Sequence, residues 1–207
     1  MKKEKRMSKK LAVIFPGIGY SVERPLLYYS RKVLEKNGYE VISVGYPGLE
    51  KDDIFESIIS GTSAKRVSKD KAAKFVAKAE KLVEEQLENV EFSNYSKIIF
   101  VAKSIGSVVS AIYAKQLGLH PYHIMVTPID YAFQFIGDER GSAFCGTSDP
   151  LVNFKDIENI CNEKQWDFHD FNSGNHSLET TDIDLNIDYL KRYVSIVEGL
   201  IPDIETN

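Results

Sequence analysis

The stretch Lys97-Ile-Ile-Phe-Val-Ala-Lys-Ser104-Ile-Gly-Ser-Val-Val-Ser-Ala-Ile-Tyr113 decides the fold. Its first half is a short apolar run rich in β-branched and aromatic residues, which favours a buried strand. Its second half predicts a helix, and Ser104 lies at the turn between the two. A buried strand that passes directly into a helix is typical of parallel sheets, whose strands are joined by crossover helices.

The same alternation of strand and helix continues along the chain on both sides of this stretch. Short runs rich in Val, Ile, Phe or Tyr predict strands at Leu11–Phe15, Glu40–Tyr46, Lys97–Ala102, His123–Thr127, Ala143–Thr147 and Trp166–Phe171. Helix-period segments are predicted at Pro25–Lys36, Phe75–Leu87, Val108–Leu117, Phe154–Asn162 and Leu185–Leu200. We therefore predict an α/β protein, a three-layer α/β/α sandwich around a mostly parallel sheet of about six strands.

Length and composition limit the classes of protein to consider. A chain of 207 residues with 43% hydrophobic residues can bury one good core, so we expect a flexible basic tail at residues 1–9 and a single domain at 10–207. The net charge of −4 gives no general affinity for nucleic acid or an anionic membrane, and small molecules are the expected partners. The apolar run Leu11–Phe15 is too short for a signal peptide, and no run approaches the roughly 18 apolar residues of a membrane span.

Three further features bear on location and on binding. Cys145 and Cys161 lack metal-ligand spacing and are expected to be buried thiols, which together with the missing signal peptide predicts a cytoplasmic protein. The basic run Lys65–Lys81 is interpreted as the solvated face of a core-packed helix, with anion binding as the alternative. Residues 49–68 show no clear periodicity, and loops of that length are often functional.

The turn around Ser104 resembles a motif of a known family. Ala102-Lys-Ser104-Ile-Gly106 is similar to the nucleophile elbow of the α/β-hydrolase family, usually Gly-x-Ser-x-Gly, with Ala102 in place of the first glycine. The resemblance implies a minimal α/β-hydrolase fold in which Ser104 is the nucleophile. The alternative is an ordinary helix-capping serine, since serine is a favoured N-cap residue.

The family's triad follows in the order nucleophile, acid and histidine. The resemblance implies that Asp149, after a late strand, is the acid and that His176, after the last strand, is the base. An aspartate before proline is also a common turn former, which is the competing interpretation of Asp149. Asp130 is the reserve candidate for the acid, and His169 is expected on a sheet face rather than in a loop.

The segment Pro16-Gly17-Ile18-Gly19 after the first strand is similar to the family's oxyanion loop, with Pro16 where histidine is common. The resemblance implies that the N–H of Ile105 and that of Ile18 or Gly17 form the oxyanion hole. A dinucleotide-binding fingerprint is the alternative, but Val22 occupies the place of its third glycine.

Taken together, the resemblance implies a serine hydrolase that cleaves an ester or related acyl bond, without cofactor or metal. A peptidase or thioesterase with the same residues, a non-catalytic binding module and a nucleotide-binding protein remain as alternatives. About fifteen residues separate the strands near Thr127 and Ala143, so we expect no lid. A surface of Tyr and Ile near the last helix is a candidate homodimer contact, and the residues expected to bind substrate are Tyr20, Arg24, Tyr46 and Tyr131.

Overall fold

The computed structural model describes residues 9–49 and 69–206, which form one six-stranded sheet flanked by helices. The strands are β1 (Lys9–Phe15), β2 (Glu40–Ser43), β3 (Tyr95–Lys103), β4 (Tyr122–Val126), β5 (Gly141–Gly146) and β6 (Asp167–Phe171). Their order across the sheet is β2-β1-β3-β4-β5-β6, and every neighbouring pair is parallel. All strands therefore end at the same edge of the sheet.

The helices within the described residues form two outer layers. They are α1 (Pro25–Lys36), α2 (Lys69–Leu87), α3 (Ile105–Leu117), α4 (Phe154–Lys164) and α5 (Ile183–Thr206), with short 3₁₀ helices at Phe92–Asn94 and Asp130–Phe135. Helices α1 and α5 pack together on one face of the sheet, and α2, α3 and α4 cover the other. In β1, Leu11, Val13 and Phe15 point to the second face, while Ala12 and Ile14 point to the first. This alternation buries both faces of the strand.

The strand order places a crevice where a ligand can bind. The chain leaves β1 toward β2 on one side of the sheet, whereas β3 is followed by β4 on the other side. In open α/β sheets, ligands bind outside the carboxyl ends of the strands at such a switch point. The loop after β1 and the turn after β3 therefore meet where a binding site is expected.

The observed sheet confirms the predicted fold class, with element bounds that differ by a few residues. α1 begins at Pro25 and ends at Lys36 as predicted, and its end is followed by Gly38 with a φ of +78°. β2 ends at Ser43 and not at Tyr46. β1 begins at Lys9, so that residue belongs to the sheet and not to the predicted tail; the rest of the tail and residues 50–68 lie outside the described residues.

Two observations concern burial and membrane insertion. Cys145 and Cys161 are free, buried thiols, and burial raises the pKa of Cys161 to about 12 and that of Cys145 further. Within residues 9–49 and 69–206, no helix combines the length and the apolar character that crossing a bilayer requires.

Close packing between α3 and β1 is possible because residue 106 is glycine. A Cβ atom on Gly106 would overlap the backbone carbonyl groups of Phe15 and Pro16. Both atoms are backbone, so the contact cannot be relieved by a rotamer change. The start of α3 is thereby pressed against the loop that follows β1.

Replacing this glycine tests the close approach. We expect Gly106→Ala to lower the free energy of unfolding by about 2 kcal/mol or more, because α3 must move away from β1. Gly199→Ala is the matched control, since Gly199 lies exposed in α5 with nothing near its missing Cβ. Alanine there should stabilise the protein by up to about 1 kcal/mol. Urea unfolding of both variants measures this, and equal effects would contradict the packing argument.

Candidate active site

Ser104 is the single residue between β3 and α3, and its backbone is held in an unusual conformation. Its φ of 53° and ψ of −123° lie outside the regions that non-glycine residues prefer. The strain, of order 1–3 kcal/mol, persists because neighbours fix the peptide groups on both sides. The N–H of Ser104 donates to the carbonyl of Val126 (3.0 Å), and its carbonyl accepts from the N–H (2.9 Å) and hydroxyl (2.6 Å) of Ser107.

The Ser104 hydroxyl does not cap α3. No backbone N–H of the helix donates to it. Instead, Ser104 Oγ lies 2.8 Å from His176 Nε2. The alternative interpretation as a helix-capping serine is therefore wrong.

His176 lies between Ser104 and a buried carboxylate. Its Nδ1 is 2.7 Å from Asp149 Oδ2, while its Nε2 faces Ser104. A carboxylate can only accept, so Nδ1 carries the proton and Nε2 keeps its lone pair for the serine hydroxyl. This is the tautomer that a general base needs.

The two carboxylate oxygens of Asp149 accept hydrogen bonds from different groups, one from the turn and the other from His176. Oδ1 accepts from the N–H groups of Leu151 (2.8 Å) and Val152 (3.3 Å), which form the turn after β5. Oδ2 is left for His176, and the Asp149 side chain is only 1% exposed. Both interpretations of this residue, as a turn former and as the partner of the histidine, describe the same carboxylate.

The loop that carries His176 packs against the end of β5. The N–H of Ser148 donates to the carbonyl of Gly174 (2.9 Å), and a Cβ on Gly146 would overlap that same carbonyl group. Asn175 Oδ1 accepts from the N–H groups of Ser177 and Glu179, which closes the loop. These contacts bring the histidine over the end of the sheet.

Burial sets the acid–base behaviour of His176. Desolvation lowers its pKa below the ordinary 6.5, and the hydrogen bond and charge of Asp149 act in the opposite direction. The net effect is a lowered pKa, so the imidazole is neutral at neutral pH. A neutral imidazole can accept the serine proton.

The competing residues lie elsewhere. Asp130 is exposed and its carboxylate accepts from the N–H of Tyr131. His169 lies within β6 with its ring 4.8 Å from that of Phe144, on a sheet face as predicted. His123 is buried in β4 and stacked on Trp166, and burial lowers its pKa to about 3.

The predicted oxyanion loop lies against Ser104 but differs in one donor. A Cβ on Gly17 would come within 3.2 Å of Ser104 Cβ, so the loop passes directly over the serine. The N–H of Gly17, however, donates to the carbonyl of Tyr20 (3.2 Å) in a tight turn, so Gly17 was a wrong choice of donor. Within the described part of the chain, the N–H groups of Ile18 and Ile105 have no acceptor, and both remain available.

The four residues predicted to bind substrate differ in their surroundings. Tyr20 is buried, its hydroxyl accepts from the N–H of Leu26, and with Ser177 and Leu178 it lines a cavity of about 170 Å³ between the first turns of α1 and α5. Arg24 is exposed at the start of α1, Tyr46 packs its ring on Phe75, and half-exposed Tyr131 packs on Phe135. In the described residues no hydrogen bond, ion pair or ring contact joins these last three to Ser104 or His176. Their roles stay predictions.

The sequence analysis missed Lys103 and Thr127, which lie under the histidine. Lys103 is 1% exposed, and its Nζ donates to Thr127 Oγ1 (2.6 Å). The Thr127 hydroxyl donates to the carbonyl of His176 (3.2 Å). The signal was present, because a lysine ends an otherwise apolar strand.

Burial shapes the titration of Lys103. Desolvation lowers its pKa from 10.5 to about 7, and the charges of Asp149 and Cys145 oppose this only in part. An amine with this pKa changes its charge near neutral pH.

Two features lie away from this site. A cavity of about 630 Å³ is lined by residues of α2, α3 and the 3₁₀ helix between them, at the opposite edge of the sheet from Ser104. Among the described residues, His120, Asp138 and Glu139 form a group whose potential ligand atoms lie within 4.8 Å of one another. Because they precede β4 and β5, they too lie at that opposite edge.

Comparisons with known proteins give likenesses in structure only. No family model matches the chain, and no curated protein matches it. Est1E from Butyrivibrio proteoclasticus, solved with ferulic acid bound, has a TM-score of 0.67 and 12% identity over 100% of this chain and 94% of that one. An alpha-beta serine hydrolase homologue from Coxiella burnetii has a TM-score of 0.61 and 16% identity over 94% and 86% of the two chains.

A third structure is similar to the same extent. The esterase Pf2001 from Pyrococcus furiosus has a TM-score of 0.61 and 13% identity over 95% of this chain and 84% of that one. At these identities the likeness concerns the fold: the chain has the α/β-hydrolase fold.

The lowered pKa of Lys103 predicts how stability depends on pH. Above about pH 7 the folded protein releases this proton, whereas the unfolded chain holds it up to 10.5, so stability rises with pH. The rise from this group is about 1 kcal/mol per pH unit between about pH 7 and pH 9. We expect this rise in the free energy of unfolding to be absent from Lys103→Met.

Urea unfolding at a series of pH values measures this difference. The gap in free energy of unfolding between wild type and Lys103→Met should change by roughly 2 kcal/mol in favour of the wild type over that range. Lys97→Met, earlier on the same strand, is the control. Parallel curves for Lys103→Met and wild type would show that Lys103 keeps an ordinary pKa.

Proposed function

We propose that this chain is a serine hydrolase that cleaves an ester or related acyl bond of a small molecule through an acyl-enzyme intermediate. One observation carries the proposal: Ser104 Oγ, His176 and Asp149 are joined by hydrogen bonds of 2.8 Å and 2.7 Å at the carboxyl edge of the sheet. A nucleophile within reach of a base, with that base oriented by a third group, is the signature of nucleophilic catalysis.

The first half of the reaction forms the acyl-enzyme. Ser104 Oγ attacks the substrate carbonyl carbon as His176 Nε2 takes the hydroxyl proton, and the carbonyl oxygen becomes an oxyanion. Asp149 stabilises the imidazolium that results. The tetrahedral intermediate then collapses, and the leaving alcohol takes the proton from His176.

The oxyanion requires donors that are already in place. The N–H groups of Ile18 and Ile105 flank Ser104 on two elements and have no acceptor among the described residues. Each such donor contributes on the order of 100-fold or more to turnover when aimed at the developing charge. In the second half of the reaction, water attacks the acyl carbon as His176 takes its proton. The bond from the acyl carbon to Ser104 Oγ then breaks, Oγ takes the proton back from His176, and the carboxylic acid leaves.

The surroundings favour a small substrate in an accessible site. Between β4 and β5 the chain contains only a short 3₁₀ helix, Asp130–Phe135, so no lid domain is inserted there. The cavity of about 170 Å³ is lined by Tyr20, Leu178, Ile187 and Leu190 among others, and by Ser177, which follows His176 in the chain; it is the proposed site for a short apolar acyl group. Arg24, Tyr46 and Tyr131 are kept as proposed contacts of the rest of the substrate.

An ester is proposed ahead of a peptide or thioester because one of the similar structures, Pf2001, is named an esterase. All three substrate classes share the acyl-enzyme step, so the choice is made by assay. Nitrophenyl esters, acyl thioesters and peptide amides of matched acyl group separate them. A cytoplasmic location and a homodimer likewise remain proposals.

Covalent labelling tests the activated serine. We expect a fluorophosphonate probe to add one adduct to the wild type, none to Ser104→Ala, and to react at least about 100-fold more slowly with His176→Ala. Intact mass measured against time reads all three. Ser195→Ala and His120→Ala, which change exposed residues remote from the site, should label like the wild type. An unlabelled wild type would overturn the proposal in favour of a non-catalytic binding module.

The titration of His176 predicts the acidic limb of activity. The base must be neutral to act, and burial lowers its pKa below 6.5. Ester hydrolysis, followed as kcat/KM against pH, should therefore fall only below about pH 6.5, with slope one. A midpoint above that value would contradict the assigned environment of His176.

A further inference from the structure

Lys103 is an unusual residue for its position. It is the last residue of β3, directly before Ser104, and its side chain is among the largest that are fully buried in the protein. Lysine is almost never fully buried unless its amine has partners. The proposed reaction assigns it no step, so its retention in the site calls for a separate explanation.

The amine of Lys103 begins a relay of two hydrogen bonds, through Thr127, to the loop that carries His176. Nζ donates to Thr127 Oγ1 (2.6 Å), and the Thr127 hydroxyl donates to the carbonyl oxygen of His176 (3.2 Å). Lys103 Nζ also lies 5.1 Å from the centre of the Tyr20 ring, which supplies a cation–π contact. Neither of these two hydrogen bonds involves the imidazole, so both are separate from the Ser104–His176 hydrogen bond.

Thr127 is held in place for this relay. It is fully buried and has a φ of +44°, which is costly for a β-branched residue. Its N–H donates to the carbonyl of Phe144 (2.7 Å), which fixes the strained backbone at the end of β4. A strained position that is fixed by its surroundings is found most often at functional sites.

The amine also acts on its neighbours through charge. The titratable groups that face it are Asp149 and Cys145 at the end of β5, His176 on the loop after β6, and Tyr20 after β1. Below about pH 7 this amine carries a positive charge, which disfavours protonation of His176. The charge therefore helps to keep the base neutral.

We propose that Lys103 is a positioning residue that fixes the backbone of His176 through Thr127 and places a buried positive charge beside the His176–Asp149 pair. The inference rests on the proposed function for its meaning in catalysis. The coupling of Lys103 to His176 is a property of the resting protein, and it can be measured without turnover.

Two variants separate the charge from the relay. Lys103→Met keeps an unbranched side chain of similar length but removes both the charge and the donor. Thr127→Val keeps the branched shape and the buried amine but removes the hydroxyl that links them to His176. Thr127→Ser restores that hydroxyl, and Lys97→Met removes a lysine from the same strand as a control.

The first measurement is the NMR titration of the His176 imidazole in each variant. The signal is assigned by its absence from His176→Ala, since the chain has 4 histidines. We expect Lys103→Met to raise the pKa of His176 by about one unit, because the nearby positive charge is gone. Lys97→Met should leave it unchanged. An unchanged pKa in Lys103→Met would overturn the electrostatic half of the proposal.

The second measurement is the rate of fluorophosphonate labelling against pH. In Lys103→Met the acidic limb should move to higher pH by the same amount as the His176 titration. In Thr127→Val the rate should fall about tenfold without that movement of the limb, and Thr127→Ser should restore it. A labelling rate in Thr127→Val equal to that of the wild type would contradict the proposed role of the relay. If the wild type takes no adduct but its His176 titration still responds to Lys103→Met, the proposed function falls and the coupling stands.

Discussion

The turn at Ser104 joins β3 to α3 through a single residue. The geometry of the site follows from this short connection. A direct passage from strand to helix forces a positive φ on a serine and aims its hydroxyl out of the end of the sheet. It also brings α3 so close to β1 that only glycine fits at position 106. The loop after β1 is thereby held over the serine. The strain at Ser104 is offset by hydrogen bonds of its backbone to Val126 at the end of β4 and to Ser107 in α3.

The carboxyl edge of the sheet collects polar groups that would be costly anywhere else in the core. Asp149 and Lys103 are both almost fully buried, and each depends on partners that the parallel arrangement brings together. Their opposite charges act on the same imidazole in opposite senses. The carboxylate favours protonation of His176 and the amine resists it, so the pKa of the base reflects a balance between two buried groups and their desolvation.

Sequence reasoning reached the parts of the structure that depend on local pattern. The strands and the helix starts such as Pro25 were predicted because periodicity and turn residues are local signals, whereas the roles of Ser104, Asp149 and His176 were implied by the resemblance to the α/β-hydrolase family. The Gly17 donor was wrong because a tight turn to Tyr20, which no motif marks, consumes its N–H. The link from Lys103 to His176 was missed because it joins β3, β4 and the last loop, and such contacts exist only once the sheet is assembled.

The two cysteines have a practical consequence for studying this molecule. Both thiols are buried and their pKa values are raised, so the thiolate forms that attack electrophiles are scarce in the folded state. The native protein should therefore react only slowly with maleimides and iodoacetamides. One cysteine introduced at an exposed position would be the sole reactive thiol, and a fluorophore or spin label attached there would report on that position alone.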